Sequence, residues 1–157
     1  MRAGIGFDVH AFTDGRMLVL GGVTIPGARG LDGHSDADVL CHAVADALLG
    51  AAALGDLGLH FPSSDDKWKD AAGTDLLTRA VVMVTNVGFR VSSIDATIVL
   101  EQPSIAPYRD EMRKQVASCC GVDVSEVSIK ATTTDGLGLI GRGEGAAALA
   151  VATLDAR

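Results

Sequence analysis

The chain has 157 residues, of which 48% are hydrophobic and 21% charged, a composition that predicts one folded domain covering residues 1–157. Its formal net charge of −7 and its scattered basic residues argue against nucleic acid or an anionic membrane as a partner. The three cysteines form no C-x-x-C pair, and the sequence has neither a signal-peptide pattern nor a membrane-spanning apolar run, so we expect a reducing, cytoplasmic location.

Two strands are predicted near the N-terminus, over residues 3–9 and 17–25, with a turn-rich stretch between them. In the first of these, side chains alternate between the two faces of the strand. Asp8 and His10 are therefore expected to point the same way, with Val9 directed into the core. The two side chains can bind a ligand together, or they can be an ordinary polar pair at the end of a strand.

The next stretch predicts a helix that begins at Ser35, the expected N-cap, and ends at about Gly50. Asp38 follows three residues after the serine, as in a capping box. His34 is expected just outside the N-terminus of this helix, where backbone N–H groups and the helix dipole favour anions.

Residues 56–70 predict a polar loop, suited to a polyol ligand or simply to solvent. A second helix is predicted over residues 75–87, with Thr74 as its cap and Gly88 at its end. A long strand rich in β-branched residues is expected over residues 89–102.

A third helix is predicted to start around Pro107 and to end at Gly121. Residues 127–134 predict a strand, and a glycine-rich segment leads to an alanine-rich run at residues 146–154. Alanine favours helix, but the pattern fits a further strand better. Because helices and strands mix without strict βαβ alternation, the sequence predicts an α+β fold with helices on one face of an antiparallel or mixed sheet.

A candidate metal site is formed by Asp8, His10 and His42, the last on the first predicted helix. One carboxylate and two imidazoles with a fourth position open are typical of a catalytic zinc site. A lone histidine on a helix is more often a core or surface residue, so the hypothesis depends on the three coming together in space.

The segment after the last threonines contains G-x-G-x-x-G at Gly136, Gly138 and Gly141. Too few residues follow for the βαβ unit of a dinucleotide site, so that interpretation is excluded. What remains is a threonine run at residues 132–134 with Asp135 beside it, which can meet a phosphate and a hard cation. A plain strand end with β-branched threonines explains this stretch equally well.

Four stretches together resemble the 2-C-methyl-D-erythritol 2,4-cyclodiphosphate synthase family, in register over nearly the whole chain: GFDVH, GHSDADVL with His42, GAAALGDLG with the following FP, and TTT with GRGEG. The resemblance implies a homotrimer of ferredoxin-like α+β subunits with a mixed sheet, helices on one face and active sites at the subunit interfaces. It also implies that Asp8, His10 and His42 hold Zn²⁺.

The reaction implied by the resemblance converts 4-diphosphocytidyl-2-C-methyl-D-erythritol 2-phosphate to the 2,4-cyclodiphosphate and CMP, in the non-mevalonate isoprenoid pathway. The nucleophile is the substrate's own anionic 2-phosphate, so catalysis is positioning plus charge neutralisation. By resemblance, His34 and Thr133 stabilise the transition state. A second divalent cation, Mg²⁺ or Mn²⁺, would bridge the diphosphate near Asp135.

The resemblance further implies a set of substrate contacts. Residues 56–58 and 61–65 would bind the erythritol portion, and residues 100–106 would receive cytosine, largely through backbone groups. The implied contacts are Asp8, His10, His34, Ser35, Asp56, Leu57, Gly58, Phe61, Pro62, Ser63, Ser64, Asp65, Leu100, Glu101, Gln102, Pro103, Ser104, Ile105, Ala106, Thr132, Thr133, Thr134, Asp135, Leu139 and Arg142.

Two positions depart from the family pattern. Asp135 stands where the family usually has glutamate, so its contact with a metal is expected to be shifted or bridged by water. Leu139 stands where the family usually has phenylalanine, in an apolar channel along the trimer axis. Arg142 lines that channel by resemblance, or it is an ion-pair partner of Glu144.

Two other functions remain open from the sequence. In a metal-dependent phosphohydrolase, the zinc site would activate water instead of aligning a phosphate. Alternatively, the chain is a non-enzymatic trimeric module that binds isoprenoid diphosphates at the axial channel.

Overall fold

A computed structural model describes residues 1–157. The strands are β1 (Arg2–Thr13), β2 (Leu18–Leu20), β3 (Val23–Ile25), β4 (Gly30–Leu31), β5 (Phe89–Val99), β6 (Val127–Thr132) and β7 (Gly145–Ala156). The helices are α1 (Val39–Ala51), α2 (Leu57–His60), α3 (Gly73–Asn86), α4 (Arg109–Cys120) and α5 (Gly138–Gly141), with three short 3₁₀ turns at Asp66–Trp68, Ala106–Tyr108 and Val124–Glu126.

Five strands form one sheet in the order β4-β1-β7-β5-β6, and β2 pairs with β3 in a separate hairpin. Only β5 and β6 run parallel, and the other pairs in the large sheet are antiparallel. The predicted α+β class with a mixed sheet is therefore confirmed. None of the helices has the length and apolar character needed to cross a membrane.

The buried face of the sheet carries small residues, which allow α1 to lie unusually close to it. A Cβ atom added to Gly6 of β1 would lie 1.9 Å from the carbonyl oxygen of Ala43, and one added to Gly4 would lie 2.1 Å from that of Ala47. The neighbouring strand β7 presents alanines to the same face, at positions 146, 148, 150 and 152, all of them buried. The close contact between β1 and α1 places the first turns of the helix beside the end of the strand.

The opposite face of β1 is apolar and exposed. Ile5, Phe7 and Val9 are 71%, 55% and 41% exposed, and Phe7 and Ile5 pair with Leu149 and Val151 of β7, which are exposed too. The prediction that Val9 lies in the core is therefore wrong. The helices cover the face with glycine, aspartate and histidine, because only that face lets a helix backbone approach.

Helix α1 begins later than predicted, and Ser35 is not its N-cap. Ala37 has a φ of 57°, so the chain is not helical there, and the helix starts at Val39 with Asp38 as its cap. The Asp38 carboxylate accepts the backbone N–H groups of Leu40 and Cys41. A carboxylate that accepts two helical donors outcompetes an upstream serine for the role of cap.

Helix α3 also begins without the predicted cap. It starts at Gly73, and Thr74 lies inside its first turn. The N–H of Gly73 donates to Asp36 Oδ2 at 2.8 Å. A carboxylate distant in sequence therefore accepts a hydrogen bond at the start of this helix, where Thr74 was expected to act as the cap. The predicted end is close to the observed one, since the helix ends at Asn86 and Gly88 has a φ of +88°.

The remaining elements follow the prediction with local differences. The predicted strand 17–25 is a tight hairpin, because Gly21 and Gly22 have positive φ angles and turn the chain. The predicted polar loop 56–70 contains α2 and a 3₁₀ turn. The alanine-rich run is strand β7, as predicted, and Gly121 ends α4 in a left-handed conformation.

Candidate active site

Three side chains meet where β1 lies against α1. Asp8 and His10 point toward the helix from the same face of β1, as predicted, and His42 comes from the first turn of α1. Gly33 leaves room for the imidazole, since a Cβ atom there would lie 3.0 Å from His10 Cε1. The three residues that the sequence predicts as a metal site are therefore brought together by the fold.

Their geometry fits a metal ion. Asp8 Oδ2 lies 3.2 Å from His10 Nε2 and 3.0 Å from His42 Nδ1, and one ligand atom from each residue lies within 4.8 Å of the others. Ligands at zinc distances in a tetrahedron lie about 3.3 Å apart. One oxygen and two nitrogens at this spacing can hold a divalent ion and leave one position open.

Further hydrogen bonds fix the orientation of both imidazoles. His10 Nδ1 donates to the carbonyl of Asp32 at 2.5 Å, and Nε2 faces Asp8. His42 Nε2 lies 3.2 Å from Ser35 Oγ, which also accepts the N–H of Ala37. Such partners are typical of metal-binding histidines because they settle which nitrogen keeps its proton. Ser35, wrongly predicted as a cap, thus supports the candidate metal site.

The charges of the cluster favour an ionised carboxylate. Although partial burial of Asp8 opposes ionisation, hydrogen bonds from His10 and His42 hold the pKa of its carboxyl well below the usual range. The hydrogen bond with Asp8 raises the pKa of the His10 imidazole, against the opposing effect of burial. The carboxylate is therefore available as a ligand at neutral pH.

A pocket of about 310 Å³ opens beside this cluster. Its lining includes predicted residues from three separate stretches of the chain and three others: Asp8, His10, His34, Ser35, His42, Asp46, Leu57, Gly58, Phe61, Ser63, Trp68 and Leu76. His34 Nε2 lies 3.2 Å from the carbonyl oxygen of Asp65, which connects the histidine loop with the 61–65 segment. The pocket can accept a polar ligand that reaches the metal position.

The segment that follows Asp56 forms one wall of this pocket. Asp56 caps the short helix α2 by accepting the N–H of Leu59, and Leu57 and Gly58 line the cavity. Phe61 and Ser63 line it as well, and Phe61 packs edge-on against Trp68 with ring centroids 4.8 Å apart. Four predicted contacts of this segment lie outside the lining, namely Asp56, Pro62, Ser64 and Asp65.

Asp46 is a pocket residue that the sequence reasoning missed. Its carboxylate accepts the N–H of Leu57 at 2.8 Å, and partial burial raises the pKa of the Asp46 carboxyl. It lies four residues after His42, so the helical period places both on one face of α1. That spacing was the signal that could have found it.

A second pocket, of about 230 Å³, lies at the ends of β5 and β6. It brings together two predicted stretches and one arginine: Leu100, Glu101, Gln102, Pro103, Ser104, Ile105, Ala106, Arg109, Ala131, Thr132 and Thr133. It shares no lining residue with the first pocket. Within one chain, the predicted nucleotide residues and the predicted metal site thus remain separate.

Glu101 holds the two stretches of the second pocket together. Its Oε1 accepts the N–H of Thr134 at 2.9 Å and lies 3.4 Å from the N–H of Gly136. Asp135, with a φ of 53°, sits in this turn, and its Oδ1 accepts the hydroxyl of Thr133 at 3.2 Å. The Asp135 carboxylate therefore lies beside the threonine with which it was predicted to act.

Leu139 and Arg142 lie near the glycine-rich segment. Leu139 is 46% exposed. Arg142 Nε donates to Glu144 Oε1 at 2.5 Å, so the ion pair considered from the sequence is present. Arg142 also lines a cavity of about 430 Å³ that includes Glu101 and Pro103.

Comparison with known proteins agrees with this arrangement. The sequence matches the YgbB family over residues 1–155. The chain belongs to the YgbB family. A member from Desulfatibacillum aliphaticivorans, described as 2-C-methyl-D-erythritol 2,4-cyclodiphosphate synthase, is 57% identical over 155 residues, which are 99% of this chain and 100% of that protein. One of the same description from Chlorobium phaeobacteroides is 57% identical over 157 residues, covering 100% of this chain and 99% of that protein.

Solved structures of other proteins share the fold. The bifunctional IspDF from Campylobacter jejuni matches 99% of this chain with a TM-score of 0.96 and 41% identity, and the chain spans 42% of that longer protein. A structure described as 2C-methyl-D-erythritol-2,4-cyclodiphosphate synthase in a CDP-bound form matches 98% of this chain and 100% of its own, with a TM-score of 0.90 and 32% identity.

Proposed function

We propose that this chain is a phosphorus–oxygen lyase of the non-mevalonate isoprenoid pathway. It converts 4-diphosphocytidyl-2-C-methyl-D-erythritol 2-phosphate to 2-C-methyl-D-erythritol 2,4-cyclodiphosphate and CMP. The observation that carries the proposal is the cluster of Asp8, His10 and His42 on an open pocket, in a chain 57% identical over its full length to proteins of that name.

The cluster is the proposed Zn²⁺ site, and Asp135 is the proposed ligand of a second divalent cation, Mg²⁺ or Mn²⁺. Two imidazoles and a carboxylate suit zinc, whereas a lone carboxylate among hydroxyl groups suits a hard cation. The ions, when bound, supply positive charge that neutralises and orients phosphate oxygens. This supply of charge explains how a chain with a net charge of −7 can bind a highly anionic substrate.

The chain's own residues align and stabilise the reacting groups. An oxygen of the substrate's 2-phosphate attacks the phosphorus that is bonded to the erythritol 4-oxygen, and the bond from that phosphorus to the bridging oxygen of the diphosphate breaks as CMP leaves. Because the nucleophile is already anionic, no strong general base is needed. His34, at the edge of the metal pocket, and Thr133, at the edge of the second pocket, donate to the phosphate oxygens as charge moves.

The two ends of the substrate occupy the two pockets. The erythritol portion lies against Asp56, Leu57 and Gly58 and the 61–65 segment, and the cytidine portion lies in the loop of residues 100–106. A rigid main-chain loop can recognise a base with backbone N–H and C=O groups.

A homotrimer is the proposed assembly, with each active site formed between subunits and residues 1–157 acting as one domain. Two observations support it. The nucleotide pocket and the metal pocket share no residue within one chain. The exposed apolar side chains of β1 and β7 form a patch that a monomer would leave in water.

The test is release of CMP from the cytidyl substrate by the zinc-loaded protein, run in ¹⁸O-water. Cyclisation takes no oxygen from solvent, so neither product should carry the label. Asp8→Ala and His42→Ala should lose zinc and CMP release together, whereas Asp14→Ala, at an exposed position outside the pocket lining, should retain both.

The alternatives predict different results. A phosphohydrolase would place ¹⁸O from water in one product. A module that only binds isoprenoid diphosphates would release no CMP at all. CMP release that survives the loss of zinc in both variants would show that the metal site is wrongly assigned.

A further inference from the structure

The pocket at the ends of β5 and β6 contains a cation for which the chain offers no partner. Among its lining residues, Arg109 is the only basic residue and Glu101 the only acidic one. The Nε atom of Arg109 is buried and has no hydrogen-bond partner, and the guanidinium takes part in none of the chain's ion pairs.

A second arginine on the same helix shows how a structural arginine is satisfied in this fold. Arg113 Nε donates to the carbonyl of Val127 at 2.8 Å, and its Nη2 donates to that of Val124 at 2.9 Å. A buried donor without an acceptor costs about 1–3 kcal/mol, so such groups are rare unless a ligand completes them. Arg109 is therefore better explained by a ligand than by the fold.

The one carboxylate of the pocket does not neutralise Arg109. Oε1 of Glu101 is occupied by the N–H of Thr134 and faces that of Gly136, and no Glu101 oxygen lies within 4.0 Å of the guanidinium. The partner that Arg109 lacks must come from outside the chain. An uncompensated cation in a partly enclosed pocket favours an anion over a neutral acceptor.

We infer that Arg109 binds the phosphate groups of the nucleotide in this pocket. The inference rests on the proposed function, which places a cytidyl nucleotide there. Phosphate is the anionic part of such a ligand, and a guanidinium binds it with charge-assisted, often bidentate hydrogen bonds. Thr132 and Thr133 line the same pocket and offer hydroxyl donors to the same group.

Arg109 thus adds the one positive charge to a pocket whose other lining residues are neutral except for Glu101, and the Glu101 carboxylate is occupied by the N–H of Thr134. The loop residues recognise the base, and the arginine holds the phosphate end. Its contribution should grow with the charge of the ligand and should be absent for a nucleoside without phosphate.

The experiment compares cytidine, CMP and CDP as ligands of the zinc-loaded protein in displacement titrations. Arg109→Met should weaken CDP binding about tenfold and leave cytidine binding unchanged. Arg109→Lys keeps the charge and should recover part of the loss. Lys114→Met is the matched control, because Lys114 lies on the same helix, outside the pocket lining, in an exposed pair with Glu111.

Each other outcome counts against Arg109 as a phosphate contact. Equal losses of affinity for cytidine and CDP would show that Arg109 contacts the cytosine or stabilises the protein. Unchanged CDP binding in Arg109→Met would show that Arg109 does not contact the nucleotide. The proposed function is judged separately by CMP release from the wild-type protein. If the wild type releases CMP and Arg109→Met binds CDP normally, only the role of Arg109 is overturned.

Discussion

The carboxylate of Asp38 joins the start of α1 to the β2–β3 hairpin. It is fully buried and accepts four backbone N–H groups, those of Gly21 and Gly22 in the hairpin and of Leu40 and Cys41 in the helix. Asp38→Ala removes an N-cap and leaves buried donors unsatisfied, so we expect a loss of about 3 kcal/mol in the free energy of unfolding. Urea denaturation measures it.

A conservative variant and a control variant help to interpret the stability change of Asp38→Ala. Asp38→Asn keeps one acceptor oxygen and should lose less stability than the alanine variant. Asp14→Ala removes an acid that is 89% exposed and should change stability little. A small effect of Asp38→Ala would mean that water or another group can satisfy the hairpin donors.

Substitution of Ser35 tests how much a hydrogen-bond partner of the proposed metal ligand His42 contributes to metal binding. The Ser35 hydroxyl lies 3.2 Å from His42 Nε2 and orients the ring without itself being a ligand. Loss of such a partner typically weakens metal binding 10–100-fold, so Ser35→Ala should raise the zinc dissociation constant about tenfold. Competition with a chromogenic chelator measures this constant.

The outcome of that titration separates two roles of the serine. Ser35→Thr retains the hydroxyl and should bind zinc nearly as the wild type does. If Ser35→Ala binds zinc equally tightly, the hydroxyl serves only the turn that it makes with the N–H of Ala37.

At the scale of elements, the contact of β1 with α1 depends on two glycines. A methyl group on Gly6 would overlap the Ala43 carbonyl at 1.9 Å, and backbone cannot move aside as a flexible side chain can. Gly6→Ala should therefore lower the free energy of unfolding by about 3 kcal/mol and shift Asp8 away from His42. Thermal unfolding and zinc content report the two effects.

Gly50, in the last turn of α1, provides the matched control. A Cβ atom there has no neighbour within 4 Å, and alanine is the better helix former, so Gly50→Ala should stabilise the protein by about 0.8 kcal/mol. The same substitution should thus have opposite signs at the two positions. Destabilisation of similar size at both would show that the close contact between strand and helix is not the cause.

The elements were predictable from local signals, and their ends were not. The periods of β1, α1 and β5 and the glycines at 88 and 121 give type and approximate length. The caps depend on distant groups: Asp38 is chosen because the hairpin offers it two more donors, and Asp36 replaces Thr74 by reaching Gly73. A sequence pattern does not show which separate segments will meet.

In the candidate site, too, some features were predictable from local signals and others depend on contacts between distant segments. The spacing of Asp8 and His10 predicted their common face, the composition of a catalytic zinc site suggested His42 as the third ligand, and the family resemblance implied the same set. Glu101 connects loop 100–106 with the turn at Thr134, and Arg109 of α4 is left without a partner, and no local sequence pattern encodes either arrangement. The family resemblance implies that Glu101 contacts the substrate, but it does not predict the hydrogen bonds that Glu101 makes.

At the scale of the molecule, the two faces of β1 explain the mistaken placement of Val9. The face with Ile5, Phe7 and Val9 has the composition of a core, yet the helices cover the other face. Alternation in a strand shows that there are two faces and does not show which one the chain itself covers. In the proposed trimer both faces are buried, one by α1 and the other by neighbouring subunits.

The proposed assembly can be broken at the centre of the exposed apolar face. Phe7 is 55% exposed and pairs across the sheet with Leu149, so Phe7→Glu places a charge in the middle of that patch. An unpaired charge buried between subunits is costly, so we expect monomers in sedimentation velocity and a fall in CMP release of more than about tenfold. Val82→Glu, on α3 at a position 52% exposed, adds the same charge outside the patch and should remain trimeric and active. A Phe7→Glu protein that is monomeric and fully active would show that one chain contains a complete site, which the separation of its two pockets argues against.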